Sequence, residues 1–424
     1  MDKKKIFLVS LGHLSCDVNG GALPALLPFL IAAYHFDYQA AAGFMFAYSC
    51  LSSIIQPAFG YLSDKISKPW FIPAGVLLAG GGLACIGFLS GYWALFAAIA
   101  VSGVGAALFH PEGARYANKV SGASKGTGIS LFSMGGNGGF VLGPILAVAA
   151  VSHFGMPGTL VFGLLSTVMA AVLLRQISHM DSPHAAARGA SPSPEAAQGG
   201  NDWKEFSKLT FAIMTRSILF VGLNTFIPLY WIHTFGQSKT AGALALTCFC
   251  TFGVMSNFVG GLMADRFGYL RIIRFSYLLL IPSIFAFALI PGPEASPLSL
   301  FLPFLTPQPA PADIAAAAAP AVTSIHLALA LLLPLGFSLY APFSSMVVLG
   351  QKYLAKNIGF ASGVTLGLAT SMGGIVAPLL GWVADHHGLP AAMFCMGGVA
   401  LLGTFFAFRL VPSEKTQGAR RRSV

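Results

Sequence analysis

The sequence predicts an all-α integral membrane protein with twelve transmembrane helices in two six-helix pseudo-repeats. Charged residues make up 9% of the 424 residues, against roughly 25% in soluble domains. The apolar share is 55% and the mean hydropathy is +0.75, so the chain has too little polar surface to cover a soluble protein of this size. The positive charges also concentrate in every second gap between apolar stretches, which is the pattern of a chain that crosses a membrane repeatedly.

The distribution of cations gives the orientation. All but two of the 24 lysines and arginines lie in or beside every second gap between apolar stretches. The exceptions are Lys239, in an intervening gap, and Arg216, inside an apolar stretch. Because cations in short loops are retained on the cytoplasmic face, both termini are predicted to be cytoplasmic and the number of spans even. The net charge of +10 then indicates contact with anionic lipid rather than nucleic acid.

Twelve apolar stretches reach the roughly 20 residues that a helix needs to cross the hydrocarbon core. The first six predicted spans are 6–33, 40–62, 69–89, 92–117, 126–151 and 157–177. The second six are 209–234, 240–263, 272–291, 322–349, 357–383 and 390–411.

These spans divide the chain into two bundles. Residues 1–177 form the predicted N-terminal bundle and 208–411 the C-terminal bundle, joined by a segment at 178–207. That segment is too polar to bury a core, so it is predicted to be a flexible cytoplasmic linker. A Pro- and Ala-rich insertion at 291–320 falls on the outer side, and 412–424 is a basic cytoplasmic tail.

The two bundles resemble each other in sequence, which indicates duplication. Three patterns recur in the same order: Gly60-Tyr-Leu-Ser-Asp64-Lys65 with Gly261-Leu-Met-Ala-Asp265-Arg266, Phe109-His-Pro111 with Tyr340-Ala-Pro342, and Ser133-Met-Gly-Gly136 with Ser371-Met-Gly-Gly374. Two six-helix halves in parallel orientation, with a substrate path between them, are the layout of major facilitator transporters.

The paired Gly-x-x-x-Asp turns are candidate gates. Each places a small residue where two helices can meet closely, and a carboxylate beside cytoplasmic cations. Charge contacts of this kind could hold one conformation and break in the other; the alternative is ordinary loop ion pairing, worth about 0–1 kcal/mol when exposed. The candidate gating residues are Gly60, Asp64, Lys65, Gly261, Asp265 and Arg266.

Predicted span five is rich in glycine. Gly135, Gly139 and Gly143 allow close helix approach, and Pro144 is predicted to bend the helix. The segment resembles the antiporter motif of proton-driven exporters and so favours export. Plain helix packing is the alternative.

Ionisable residues inside spans are candidate functional sites, because a charge near the bilayer centre is costly. His13 and Asp17 lie four residues apart in span one and share a helical face. The aspartate could bind and release a proton, with histidine tuning its pKa. The alternative is a structural hydrogen-bonded pair.

Span four ends in a second ionisable group. Pro111 is predicted to loosen the helix beside His110, while Glu112 and Arg115 lie three residues apart, within ion-pairing reach. These two residues belong either to a proton path or to a simple pair near the cytoplasmic surface. The second half has neither this His nor this Glu at the corresponding positions. This difference favours a function that only the first half performs, such as coupling.

The remaining candidates are predicted to contact substrate. Arg216 lies roughly 9 Å into span seven, at 1.5 Å per residue, and either snorkels to the interface or faces a cavity and binds an anion. Tyr230 and Trp231 form either an interfacial aromatic belt or part of a substrate site. Three amides complete the candidate set: Asn19, Asn137 and Asn224.

Several of these patterns together carry a family resemblance. Phe109-His-Pro-Glu112, Ser130-Leu-Phe, Gly135-Gly-Asn-Gly138 ahead of Leu142-Gly-Pro144, and His13-Leu-x-x-Asp17 resemble fosmidomycin-resistance proteins of the major facilitator superfamily. The resemblance implies a bacterial inner-membrane, proton-driven exporter of a small phosphonate anion. It implies no enzymatic activity and no cofactor beyond the proton gradient. The six cysteines show no metal-ligand spacing, and we expect a monomer.

The resulting hypothesis is alternating access by rocking of the two halves. Asp17 and Glu112 would exchange protons, His13 and His110 would tune or relay them, and Arg216 or Arg115 would attract the anion. The rival functions are an uptake symporter or facilitator for a sugar or organic anion, and a membrane sensor or scaffold that transports nothing.

Overall fold

The computed structural model describes residues 1–56, 59, 70–122, 124–177, 200–290 and 322–412. Gly60, Asp64 and Lys65 lie outside these residues, as does the whole 291–320 insertion. The same holds for most of the predicted linker and of the basic tail.

Within the described residues, six α-helices lie in the N-terminal half. They are α1 Lys3–Tyr34, α2 Tyr38–Ile54, α3 Phe71–Cys85, α4 Tyr92–Val120, α5 Lys125–Phe154 and α6 Leu160–Ile177. The side chains of Asp2 and Asp37 cap α1 and α2 by accepting backbone N–H groups of Lys5 and Ala40. Each cap satisfies a donor that the first helical turn leaves without a partner.

The described helices of the C-terminal half are more irregular. They are α7 Trp203–His233, α8 Lys239–Phe267, α9 Tyr269–Ala288, α10 Val322–Tyr340, α11 Phe343–Tyr353, α12 Ile358–Gly363 and α13 Ala369–Arg409. A π-helical turn, Val364–Leu368, joins α12 to α13. α13 contains two helices that meet at Gly388, where φ is 81°; this left-handed backbone is natural for glycine and makes the tight turn between the last two predicted spans.

The helices have the length and composition of membrane spans. Within the described residues, nine helical segments are long and apolar enough to cross a bilayer, and Phe71–Cys85 is a shorter apolar helix. Leu, Val and Phe side chains point outward from many of them, such as Leu164, Val168 and Phe258. An apolar exterior around a packed interior is the arrangement expected of helices that face lipid.

Two equivalent prolines behave differently, and this corrects the sequence prediction. Pro111, predicted to loosen its helix, lies inside the uninterrupted α4, whereas the single predicted span 322–349 is broken between Tyr340 and Phe343, at Pro342. Proline removes one backbone N–H, and neighbouring helices decide whether the helix continues. Beside Pro111, α3 packs so closely that a Cβ on Gly75 would lie 2.7 Å from the Phe109 nitrogen.

The two halves meet at the end of the bundle opposite the termini, which we call the far end. The Asp385 carboxylate of α13 accepts the backbone N–H groups of Tyr38 and Gln39, at 2.7 and 2.8 Å, and so holds the start of α2. The Lys239 ammonium lies 4.6 Å from the Phe29 ring centroid in the same region. Backbone and charge contacts therefore tie the halves together there.

Candidate functional site

Three ionisable side chains from two helices meet inside the N-terminal half. Nε2 of His13 lies 3.1 Å from Oδ2 of Asp17, one turn further along α1. Nε2 of His110, on α4, lies 3.0 Å from Oδ1 of the same carboxylate. We call His13, Asp17 and His110 the proton cluster. The structure thus brings together three of the four residues predicted for proton coupling.

Backbone carbonyls orient both imidazoles. Nδ1 of His13 donates to the carbonyl oxygen of Phe132 on α5, at 2.8 Å. Nδ1 of His110 donates to the carbonyl oxygen of Ala106, one turn earlier on α4, at 2.7 Å. The Phe132 ring also stacks on His13 with the ring centroids 4.1 Å apart. Each ring is thus fixed with Nε2 toward Asp17.

Glycines of α5 make room for this arrangement. A Cβ on Gly136 would lie 2.6 Å from Oδ2 of Asp17 and closer still to Nε2 of His13. On either side, a Cβ on Gly135 would clash with the Ser10 carbonyl, and a Cβ on Gly139 would lie 2.6 Å from the Val18 nitrogen. Further along, a Cβ on Gly143 would lie 2.5 Å from the Ala22 nitrogen. The glycines let α5 lie directly on α1; α5 also continues through Pro144 as one helix.

The cluster is unequally buried. The Asp17 side chain is 10% exposed and that of His13 is 11% exposed, whereas that of His110 is 26% exposed. Within the described part of the chain, no other group of three His, Cys, Asp or Glu side chains is as compact. Its N···O distances are those of hydrogen bonds, so the three side chains form one connected hydrogen-bonded cluster.

Glu112 lies beyond the cluster on α4, toward the end of the bundle that carries the N-terminus. It is 3% exposed, and its Oε1 accepts from Nη2 of Arg115. The predicted pair therefore exists, with a buried carboxylate and a partly exposed guanidinium. Glu112 is separate from the proton cluster but follows it on the same helix.

Arg216 is a buried cation in the C-terminal half. It is 7% exposed, and its Nε donates to the Leu339 carbonyl oxygen at 2.7 Å. Its guanidinium lies 4.6 Å from the Phe343 ring centroid and 5.9 Å from that of Phe220. The side chain points into the helix packing instead of snorkelling outward, and no carboxylate among the described residues forms an ion pair with it.

Polar and aromatic groups continue from Arg216 toward the other half. Tyr340 donates to Sγ of Cys250 at 3.8 Å, and that thiol donates to Oδ1 of Asn224 at 3.5 Å. Phe220 lies 5.4 Å from the Tyr340 ring and 6.2 Å from that of Phe140 on α5. Arg216 and Asn224 are predicted from the sequence, whereas Phe220, Tyr340 and Cys250 are not, because apolar spans contain many residues of these types.

The two halves place equivalent residues around their inner faces. A Cβ on Gly135 would lie 2.8 Å from the Ser10 carbonyl carbon, and a Cβ on Gly373 would lie 2.8 Å from that of Ser217. Counting along α1 and α7 from these serines, Asp17 corresponds to Asn224, and His13 corresponds to Phe220. The position that is ionisable in the first half is therefore a neutral amide in the second.

Two of the other predicted amides lie near the N-terminal site. The Asn19 side chain is fully buried and donates to the carbonyls of Ser15 and Cys16. Its Oδ1 has no hydrogen-bond partner among the described residues. Asn137 is half-buried on α5, next to Gly136.

The structure does not support a substrate contact or an interfacial position for Tyr230 and Trp231. Both are almost completely buried, and the Tyr230 hydroxyl donates to the Ala288 carbonyl at 3.2 Å. The rings pack on Phe235 and Phe287. The contacts of Tyr230 and Trp231 are thus those of helix packing, and we do not retain these two residues as candidates for substrate binding.

The second gating turn also differs from expectation. No described residue lies within 4 Å of a Cβ placed on Gly261, whereas a Cβ on Gly260 would lie 2.7 Å from the Ala341 Cα. The close helix approach is therefore at Gly260, against the break between α10 and α11. Asp265 and Arg266 are exposed at the end of α8, and neither forms an ion pair with a described residue.

The fold and the buried polar sites define a class of protein: a helical multi-pass membrane transporter. Residues 9–365 match the Major Facilitator Superfamily, and the chain belongs to that family. It is accordingly a transporter of small molecules and not an enzyme. The resemblance to major facilitator proteins is thus confirmed for the family.

Two relatives match along nearly the whole chain. The fosmidomycin resistance protein of Escherichia coli (strain K12) is 27% identical over 403 residues, covering 94% of this chain and 91% of the relative. The uncharacterized MFS-type transporter YfnC of Bacillus subtilis (strain 168) is 26% identical over 421 residues, covering 97% and 93%. The first relative belongs to the group of proteins that the sequence motifs resemble.

Solved structures share the fold. The nucleoside transporter NupG has a TM-score of 0.71 at 13% identity, with 96% of this chain and 100% of that chain covered. A bacterial homolog of the human lysosomal transporter Spinster, in an inward-facing and occupied conformation, has a TM-score of 0.67 at 14% identity, with 96% of both chains covered. The predicted all-α fold with two pseudo-repeats is confirmed.

Proposed function

We propose that this transporter is a proton-coupled antiporter that exports a small anion of the phosphonate class by alternating access. The proton cluster is the observation that carries the proposal. Ionisable groups inside membrane helices are costly and typically mark substrate paths or proton relays, and here three of them share hydrogen bonds in the interior. The similarity to the fosmidomycin resistance protein supports the choice of cargo.

Arg216 is the proposed anion site. A guanidinium presents a planar set of donors that matches phosphate-like oxygens, and only Nε of Arg216 is bonded to a described residue. The Nη atoms are thus the part of the group that an anion could occupy. Asn224 and Tyr340 lie near enough to Phe220 and Arg216 to contact the rest of a small substrate.

Coupling follows from placing the two charges in different halves. The proton cluster belongs to α1 and α4, and Arg216 belongs to α7, so rocking of the halves changes their separation. We propose that protons leave the cluster past Glu112 toward the cytoplasmic side, and that the anion is released at the far end after the Asp385 contact opens. In this scheme the protein acts as a monomer in the bacterial inner membrane, with both termini cytoplasmic.

The experiment is a proton-flux assay with purified protein in liposomes that contain a pH-sensitive dye. Adding fosmidomycin should move protons in the direction opposite to the drug. Asp17→Asn should abolish this flux, because an amide cannot hold either imidazolium by charge. Asp202→Asn is the matched control, since asparagine also caps a helix N-terminus and should preserve the cap at α7.

The outcomes separate the candidate functions. Proton movement in the same direction as the substrate would identify a symporter and overturn the export proposal. Full drug-dependent proton flux in Asp17→Asn would remove the cluster from coupling. Drug resistance in cells that survives collapse of the proton gradient would exclude antiport.

A further inference from the structure

The hydrogen-bond pattern of the proton cluster determines where its protons can reside. A backbone carbonyl oxygen can only accept, so Nδ1 of His13 and Nδ1 of His110 each carry a hydrogen. A neutral ring in this orientation has a lone pair on Nε2. Both Nε2 atoms face oxygens of Asp17 at hydrogen-bond distance. Because nitrogen and oxygen lone pairs repel each other, each contact is favourable only when a proton lies between the two atoms.

Charge limits how many of those protons can leave. With both contacts protonated, the cluster carries one net positive charge; with one proton removed it is neutral, and with both removed it holds an uncompensated buried carboxylate. Breaking a buried ion pair by removing one partner typically costs about 3–5 kcal/mol. The cluster is therefore suited to alternate between one and two of these protons.

The two contacts differ in access. The contact between His13 and Asp17 is covered by α5, through Gly136 and through the Phe132 ring stacked on His13. His110 is the most exposed member, at 26%. Of the two protons, the one on His110 is therefore the more accessible from outside the helix packing.

Two titratable groups outside the cluster interact electrostatically with Asp17. They are the Cys16 thiol on α1 and the Tyr48 hydroxyl on α2. Both are neutral at ordinary pH. α5 faces the cluster with Gly136 and the Phe132 backbone, and the Glu112 and Arg115 pair lies further along α4.

We infer that His110 is the residue that gains and loses the transported proton, while His13 and Asp17 remain an ion pair that positions it. One proton then moves per transport cycle at this cluster. This inference rests on the proposed proton-coupled function, and it differs from a scheme in which the aspartate is the carrier.

The test compares three histidine variants in the liposome assay. His110→Gln should lose drug-dependent proton flux yet retain exchange of labelled drug across the membrane. His13→Gln should keep coupled flux with an unchanged ratio of protons to drug at a reduced rate, because it removes a positioning group. His153→Gln, at an exposed histidine near the end of α5, is the matched control and should behave as the wild type.

Infrared spectroscopy tests the inference without measuring transport. If His110 is the carrier, titration should change imidazole bands and leave no protonated carboxylic acid band. A buried carboxylic acid band that appears and disappears with pH, and is lost in Asp17→Asn, would assign the proton to Asp17 and overturn the inference.

The proposed function and this inference fail in different ways. No drug-dependent proton flux in the wild type would refute the proposed function. Coupled flux in the wild type that persists at full strength in His110→Gln, or a ratio of two protons per drug at the cluster, would refute only the assignment to His110.

Discussion

Gly136→Ala should shift proton coupling to more acidic pH without removing any ionisable group. The new Cβ would lie 2.6 Å from Oδ2 of Asp17 and 2.4 Å from Nε2 of His13, where ordinary contact begins at 3.4 Å. The carboxylate must therefore move by about 0.8 Å and the imidazole by about 1.0 Å. The atoms approached most closely belong to His13 and Asp17 and not to the backbone of α1. The helix packing can therefore survive while the proton cluster is displaced.

The size of the effect follows from the hydrogen bonds at risk. The contact between His13 and Asp17 is 3.1 Å long, and a displacement of this size takes it out of hydrogen-bond range. A hydrogen bond to a charged group contributes about 1.5–3 kcal/mol. We therefore expect proton affinity at the cluster to fall by about 10- to 100-fold, since about 1.4 kcal/mol is a factor of ten.

The assay is drug-dependent proton flux in liposomes as a function of pH, with Gly138→Ala as the matched control. A Cβ on Gly138 would find only the Leu14 side chain, at an ordinary 3.4 Å, and alanine should also favour the helix. Gly136→Ala should keep its thermal stability yet require more acidic conditions for coupling. If both variants couple over the same pH range, the clash does not control the cluster and the reasoning is wrong.

Three further predictions concern helix contacts. Asp385→Ala removes both acceptors for the N–H groups at the start of α2, and should shift the equilibrium toward opening at the far end by about 1–3 kcal/mol. A longer distance between spin labels on the two halves at the far end would show this opening, and an unchanged distance distribution would contradict it. Gly260→Ala should lower the melting temperature whereas Gly261→Ala should not, and equal effects would place the close approach elsewhere. The backbone bond from Lys5 lowers the pKa of Asp2, so its capping of α1 is present above the ordinary aspartate pKa and is lost as pH falls through the lowered value. Asp2→Asn should make hydrogen exchange in the first turn, corrected for intrinsic rates, independent of pH in that window.

The sequence was sufficient for features that depend on local spacing. Apolar length and the alternation of cations predicted the helical membrane fold, and the i, i+4 spacing of His13 and Asp17 predicted their contact. The i, i+3 spacing of Glu112 and Arg115 predicted their pair in the same way. In each case one helix supplies both partners, so its 3.6-residue repeat determines the geometry.

Contacts between different helices were harder to predict from the sequence. That His110 reaches Asp17 depends on the rotation of α4 against α1, which sequence spacing does not encode. The Asp385 contact with α2 joins residues almost 350 positions apart, and its only sequence signal is an acid in a gap with few charges. Pro111 and Pro342 look equivalent in sequence, but the surrounding helices keep one helix continuous and leave the other broken.

The seam of glycines between α1 and α5 has a mechanical consequence. Because these helices touch backbone to backbone, the proton cluster cannot be stretched by small sliding movements, and the N-terminal half should carry it through the transport cycle as a fixed unit. The C-terminal half, with its break before Phe343 next to Arg216, is the more deformable partner. The C-terminal half would then change shape to fit different substrates. The N-terminal half, which holds the proton cluster, would keep the same dimensions with every substrate.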